Sequence, residues 1–528
     1  MYFGERGLLK RVFSAVMFIL LLTSMLTLAF NIQAVNAQGG TIYIRADGSI
    51  DPPTAPISTI DNVTYTLTAD IFNDSVVIER DNIVVDGAGY TSAGTGSGAD
   101  GVTIIGRTAV TIENMTISGF RFGIILSFSS GSGLLGNTIT GGFEGIRLGE
   151  SSNNSISGNI GDSSINLYYS SDNCIVGNVI TGSYRKGIYL YNSTNNSIVQ
   201  NVLTATKSGW SIDLQYSSDN DLVNNTISRS DWDGMRVYGS PNNNIVGNTI
   251  AANGWADEGR AGIYIESSSG NSIVGNTIFN NSEGIRFSYC SNNNVYHNNF
   301  VSNAAQVYSV SSVNVWDDGY PSGGNYWSDY NGTDTDNDGI GDTPYVIDEN
   351  NTDYYPLINP WTPPDIALAY FATSKTIAKE GSLVTLIMHF ENQGNKVEKF
   401  ARHTYLNGSL LSSENFTLTG GEKLDLPRVW DTTGFAKGNY TVTVLIEPLQ
   451  GEVDTADNTM TTYVFITIAG DLNGDGVVDI YDAIVLANHF GFHQWYPLWD
   501  YNVGINNDGV IDIFDAILLA ANYGKSWT

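Results

Sequence analysis

From about position 41 the apolar residues come in short alternating bursts, divided by polar turns rich in Asn, Ser and Gly. A period of two predicts strands, and bursts this short between turn residues leave no room for helices of useful length. The bursts repeat. Leu134-Leu-Gly-Asn137, Ile156-Ser-Gly-Asn159, Ile175-Val-Gly-Asn178 and Ile198-Val-Gln-Asn201 are followed by Leu222-Val-Asn-Asn225, Ile245-Val-Gly-Asn248, Ile273-Val-Gly-Asn276 and Val295-Tyr-His-Asn298. Successive Asn positions lie 22, 19, 23, 24, 23, 28 and 22 residues apart. A second motif keeps step with the first: Gly123-Ile-Ile-Leu126, Gly145-Ile-Arg-Leu148, Gly187-Ile-Tyr-Leu190, Gly234-Met-Arg-Val237, Gly262-Ile-Tyr-Ile265 and Gly284-Ile-Arg-Phe287.

Two strands per repeat predict the coils of a right-handed parallel β-helix, with apolar residues stacked inward one coil above another. The recurring Asn is expected to form an inward ladder that satisfies backbone groups at the turn. Less regular coils begin near Thr41, so the solenoid is placed at residues 38–320. These motifs resemble the NosD-type family of β-helix proteins, also described as carbohydrate-binding and sugar-hydrolase solenoids. That family name implies copper, which favours clustered His, Cys or Met. The solenoid offers His297 alone, with Cys174 and Cys290 five coils apart, too far for a disulfide. Both cysteines are expected to be buried free thiols, and the copper reading is set aside.

The turns leading into the Gly-Ile strands change character midway. Tyr184-Arg185-Lys186 gives way to Lys207 and Trp210. Arg229, Asp231, Trp232 and Asp233 come next, then a five-residue insertion with Trp255, Asp257, Glu258 and Arg260. Beside them, the outward position of the Gly-Ile strand supplies Tyr189, Asp213, Arg236 and Tyr264. Rings stack on sugar faces and carboxylates do general-acid and base or nucleophile work, so this edge suits a polysaccharide. Asp231, Asp233, Asp257 and Glu258 are the catalytic candidates. Tyr189, Trp210, Asp213, Trp232, Arg236, Trp255, Arg260 and Tyr264 are the binding candidates. The competing reading makes these rings turn caps and the charges a solubilising edge.

The solenoid exit, 321–359, contains Asp334, Asp336, Asp338 and Asp342 at the spacing of a calcium loop, with Ile340 offering a carbonyl; Tyr345 falls where the closing carboxylate belongs. After Pro360, Pro363 and Pro364 the strands lengthen, as in Leu383–Phe390 and Tyr440–Ile446, and residues 365–468 predict a seven-stranded Ig-like β-sandwich. Glu391-Asn-Gln-Gly394, Trp430-Asp-Thr-Thr433 and Asp454-x-x-Asp457-Asn458 resemble the CARDB domain. Residues 469–528 carry two loop–helix units. In the first, Asp471, Asn473, Asp475, Asp479 and Asp482 supply side-chain oxygens, Val477 a carbonyl and Gly476 the turn. The second offers Asn506, Asp508, Val510, Asp512 and Asp515, but Gly504 stands where the first loop has Asp471. The pair resembles a type I dockerin, a small α-helical calcium-binding module. The resemblance implies bound calcium and a cohesin-type partner met by Ile480, Tyr481, Ile513 and Phe514. Those four apolar residues also read as helix starts packed against the other unit.

The N-terminus places Arg6, Lys10 and Arg11 before an apolar run from Val12 to Phe30 and small residues at Val35–Ala37. Residues 1–37 thus read as a signal peptide or a retained anchor, the only route to membrane association. Many Asn-x-Ser/Thr sites (Asn62, Asn73, Asn114, Asn331, Asn407, Asn415 and Asn439 among them) fit an exported glycoprotein, secreted or at the cell surface. Across 528 residues the formal charge is −30, with 24 basic residues against 54 acidic ones. That balance argues against nucleic acid and for divalent cations. The sequence thus predicts a modular surface protein that binds or processes polysaccharide. A polysaccharide hydrolase, lyase or epimerase, and a non-catalytic adhesin on a rigid scaffold, are the alternatives.

Overall fold

The computed structural model describes residues 39–96, 98–254, 259–449, 451–452 and 454–527. The expected signal or anchor segment and three candidate residues, Trp255, Asp257 and Glu258, lie outside them. Among the described residues no helix is long and apolar enough to cross a membrane. The chain forms two compact units, one ending at Ile358 and one from Asn359 onward.

The first unit is a parallel β-solenoid built of three long sheets with 13, 13 and 12 strands. Each coil contributes three strands rather than the two expected. The Gly-Ile motif lies in the first sheet, where Ile188 pairs with Ile212 and Leu190 with Leu214. The residues before the ladder Asn form the second sheet (Ser197–Val199 beside Asp221–Val223) and those after it the third (Val202–Thr204 beside Thr226–Ser228). The ladder Asn therefore marks a corner. The chain turns there through a left-handed residue placed just before it, such as Gly177 at φ 63°, Gln200 at 54° and Gly247 at 66°. Glycine is frequent in this slot because it alone adopts that conformation without a Cβ penalty. Inside, Ile198, Leu203, Ile212, Leu214, Leu222 and Ile227 are wholly buried.

The corner asparagines form the expected ladder. Asn201 donates both its backbone N–H (3.0 Å) and its Nδ2 (3.0 Å) to Asn225 Oδ1, and Nδ2 also donates to the carbonyl of Ile175 at 2.8 Å. The same pattern joins Asn137 to Asn159 and Asn276 to Asn298. A second ladder, which the repeat reading missed, runs through Asn154, Asn173, Asn196, Asn220 and Asn243 at the corner between the first and second sheets. Beside it Ser151, Ser170, Ser193, Ser217 and Ser240 form a serine ladder. Cys290 occupies the serine slot further on, its thiol donating to the carbonyls of Ile265 and Ser288. Cys174 departs from expectation: it is exposed, because its neighbour Ile175 takes the inward position.

The solenoid runs past residue 320, since Tyr326–Trp327 is the last strand of the third sheet. The exit segment closes the open end. Trp327 stacks between Phe300 and Tyr345, 4.3 Å from each, and Asn325 passes the corner ladder to Asp353, whose Oδ2 accepts the Asn325 N–H at 2.8 Å. Asp353 is fully buried; burial pushes its carboxyl up to about 7, against the Asn325 amide, the Trp327 indole and the Tyr355 amide, which lower it.

The second unit begins with a β-sandwich of a three-stranded and a five-stranded sheet, eight strands rather than seven. The extra one is short, Ile377–Lys379, and runs parallel to Thr459–Thr467. Its core gathers Val384, Phe390, Trp430, Val442 and Val464. Two helices follow, α1 (Ile480–His489) and α2 (Ile513–Asn522). They share a core of seven buried residues, among them Leu472, Val478, Ile511 and Leu519.

Candidate functional sites

Register decides which solenoid candidates meet. Along the outer side of the first sheet, Tyr189 lies beside Asp213, Asp213 beside Arg236, and Arg236 beside Tyr264. Trp210 and Trp232, one coil apart, touch edge to face at 4.7 Å. Asp213 is fully buried despite its outward position, because Lys186 (3.3 Å), Arg236 (3.9 Å) and Gln215 (3.0 Å) close over it. Burial raises its carboxyl, against the pull of Lys186 and Arg236, and lowers the Lys186 ammonium in turn. Asp233 is likewise buried and held: it accepts the Trp210 indole N–H at 2.9 Å and the Ala261 amide at 2.6 Å, with Arg260 at 3.6 Å. Asp231 accepts the Ser208 amide at 2.8 Å and is half-buried.

A regular unit emerges that the sequence reading had not assembled. Five coils each carry a cation paired with a carboxylate and laid on a ring. Arg147 pairs with Glu144 (3.2 Å) over Tyr168, and Lys186 with Asp213 over Tyr189. Arg236 pairs with Asp213 and Glu266 over Trp210, Arg260 with Asp233 over Trp232, and Arg286 with Glu283 (2.6 Å) over Tyr308. Arg147 and Arg286 were legible, since they fill the variable place of Gly-Ile-Arg-Leu148 and Gly-Ile-Arg-Phe287. Beside this face runs a tyrosine strip: Tyr169 to Tyr191 (5.6 Å), Tyr191 to Tyr216 (5.9 Å) and Tyr216 to Tyr238 (5.4 Å), all edge to face. Tyr169 and Tyr216 are exposed and adopt left-handed backbone angles, uncommon for a bulky residue. The surface is electrically balanced, aromatic and continuous over successive coils. It can stack and hydrogen-bond an extended ligand but offers little long-range attraction for an anion.

The first C-terminal loop turns two of its carboxylates, Asp471 and Asp482, inward. Asp471 accepts the amides of Gly474 (2.8 Å) and Gly476 (2.9 Å), and burial raises it, opposed by the Thr467 hydroxyl and those amides. Asp482, fully buried, accepts the amides of Leu472, Asn473 and Asp479. Asp475 meets Asn473 and Val477. Asp479 caps α1, with Asp482 completing a capping box; Asp512 and Asp515 do the same for α2. Asp508 accepts the Val510 amide and the Asn506 side chain. These oxygens are hard donors suited to calcium.

In the solenoid exit the ligand oxygens of Asp334, Asp336 and Asp338 lie within 4.8 Å of one another, beside buried Ile340. Asp342 instead turns to the hydroxyl of Thr335, which with Thr333 lowers its carboxyl. Ile480, Tyr481, Ile513 and Phe514 are all more than half exposed, so they do not pack against the opposite unit as helix starts. Between the helices opens an apolar groove of about 440 Å³ lined by Ala483, Leu486, Ala487, Ala516, Leu519 and Ala520.

A copper centre does not fit the solenoid. His297 Nε2 is engaged by the carbonyl and hydroxyl of Ser322, and Met115 and Met235 are buried among aliphatic side chains. Among the described residues the clustered metal-type donors are the three exit aspartates, which are oxygen donors.

No curated protein matches the chain. Among solved structures, the mannuronan C-5 epimerase A-module of Azotobacter vinelandii is similar at 14% identity over 52% of this chain and 91% of its own, TM-score 0.36. PfbA, a surface adhesin of Streptococcus pneumoniae, is similar at 14% identity over 48% and 82%, TM-score 0.36. A Pyrococcus furiosus CARDB domain in complex with di-metal ions is similar at 18% identity over 21% and 99%, TM-score 0.19. The family model described as periplasmic copper-binding protein (NosD) matches residues 59–227 and 211–332. That match spans more than half of the sequence and the whole regular part of the solenoid, and the chain belongs to the NosD family.

Proposed function

We propose that this is an exported, extracytoplasmic surface protein whose solenoid binds polysaccharide along the outer side of its first sheet. The observation that carries this reading is the register-matched face running from Tyr189 through Asp213 and Arg236 to Tyr264, with Trp210, Trp232 and the tyrosine strip alongside. Its cations Arg147, Lys186, Arg236, Arg260 and Arg286 are already matched by carboxylates, which favours neutral sugars over strongly acidic ones. The C-terminal module holds calcium in its first loop, through Asp471, Asn473, Asp475, Val477, Asp479 and Asp482, and meets a cohesin-type partner with the exposed starts of α1 and α2. Asp334, Asp336 and Asp338 would hold a further calcium ion through their carboxylate oxygens. Processing of the bound chain, by hydrolysis, elimination or epimerisation, would fall to Asp231 and Asp233 with Asp257 and Glu258. Glycan-array binding of the full chain, repeated with Trp210→Ala/Trp232→Ala, tests the face; unchanged binding would remove it.

A scaffold reading has its own support. Asp213 and Asp233 are wholly buried, and Lys186, Arg236 and Arg260 are each paired with a carboxylate, as in a surface built for rigidity. Absence of binding to any glycan, neutral or acidic, favours it.

A further inference from the structure

The second C-terminal loop differs from the first in one ligand side chain and in its surroundings. Where Asp471 stands in the first, the second has Gly504, whose carbonyl accepts a hydrogen bond from the Nζ of Lys375 at 3.2 Å. Lys375 belongs to the sandwich and is only 7% exposed. Its two successors bind the same region: the amides of Thr376 and Ile377 both donate to Asn502 Oδ1, at 2.9 and 3.0 Å, and Asn502 Nδ2 donates to the Thr376 hydroxyl at 3.2 Å. Asn502 is thus committed to the sandwich and is not free to supply the oxygen that Gly504 lacks.

Charge agrees with geometry. The first loop carries four carboxylates (Asp471, Asp475, Asp479 and Asp482), the second three (Asp508, Asp512 and Asp515). A divalent ion in the first and one ammonium beside the second would leave each at a net charge of about −2. Burial and the neighbouring Lys379 pull the Lys375 ammonium down to about 8, and Asp500 and Asp515, which attract it, offset part of that cost.

We propose that the second loop, Gly504–Asp515, is not a cation site of its own but a socket for the Lys375 ammonium, which fixes this half of the module to the β-sandwich. The first loop remains the calcium loop of the reading above. Sandwich and module would then move as one body, leaving the exposed helix starts on a rigid mount.

The test uses the full chain and calcium alone. Bound calcium is counted by equilibrium dialysis for the unaltered protein, Asp475→Asn and Asp508→Asn, and amide exchange is followed at Thr376 and Ile377 in Lys375→Met. The expected result is an unchanged count in Asp508→Asn and exchange at least tenfold faster in Lys375→Met while the amides of Val442 and Val444 stay protected. Loss of an ion in Asp508→Asn, or unchanged exchange in Lys375→Met, overturns the proposal. An unchanged count in Asp475→Asn would sink the first-loop calcium reading instead, and the exchange measurement then decides the socket alone.

Discussion

The solenoid and the C-terminal module solve one problem with two different atoms. Both bend the chain sharply and must satisfy backbone N–H groups turned inward at the bend. The solenoid uses a neutral amide, as where Asn201 donates twice to Asn225. The module uses a carboxylate, as where Asp482 takes three backbone amides. An amide accepts and donates, so it can hand the pattern to the next coil indefinitely. A carboxylate only accepts, so it ends the chain of bonds and leaves a buried charge that needs a cation or a proton. Asp353 shows the difference inside the solenoid itself, for it stands where the asparagine ladder stops.

The largest effect should come from breaking that distinction. Asn225→Asp places an acceptor-only group where Nδ2 now donates to the carbonyl of Ile198 and to Asn248 Oδ1. It should destabilise the solenoid by about 4–5 kcal/mol in denaturant unfolding, whereas Asn225→Ala should cost about 2. Chelating calcium should act most strongly on the other region. With calcium present at about 1,000 times its dissociation constant, removal should take about 4 kcal/mol from the module and shift the solenoid transition less, through the exit aspartates alone, read by scanning calorimetry.

Asp353 sharpens the comparison through pH. Its folded value of about 7 lies above the ordinary 3.8, so between those values the folded chain keeps a proton that the unfolded chain has released. Stability of the solenoid should therefore be greatest below about pH 4 as far as this group is concerned, and fall by roughly 4 kcal/mol on the way to pH 7. Asp353→Asn should flatten that dependence. The smallest effect belongs to the outer face, where Trp232→Ala should weaken glycan binding about fivefold, roughly 1 kcal/mol, without moving either unfolding transition.

What the sequence determined by itself is whatever depends on neighbours along one coil or on one repeat length. The Asn spacing gives the solenoid, the inward Ile and Leu positions and one ladder. The alternation of Leu383–Phe390 gives a sandwich strand, and the two loop–helix units show their capping and donor residues. The third strand of each coil was hidden because three residues such as Thr226–Ser228 are too few for a period to register. The second ladder was hidden because Asn154 and Asn173 are surrounded by other asparagines and serines in every turn.

Only the tertiary structure could bury Asp213 and Asp233, because their covers, Lys186, Arg236, Trp210 and Arg260, come from neighbouring coils. The same holds for Lys375 and Gly504, which lie 129 residues apart and meet at 3.2 Å. Local pattern records what each residue is for in its own turn of chain. Which opposite charge arrives to neutralise it depends on how distant turns are stacked, and no single repeat carries that information.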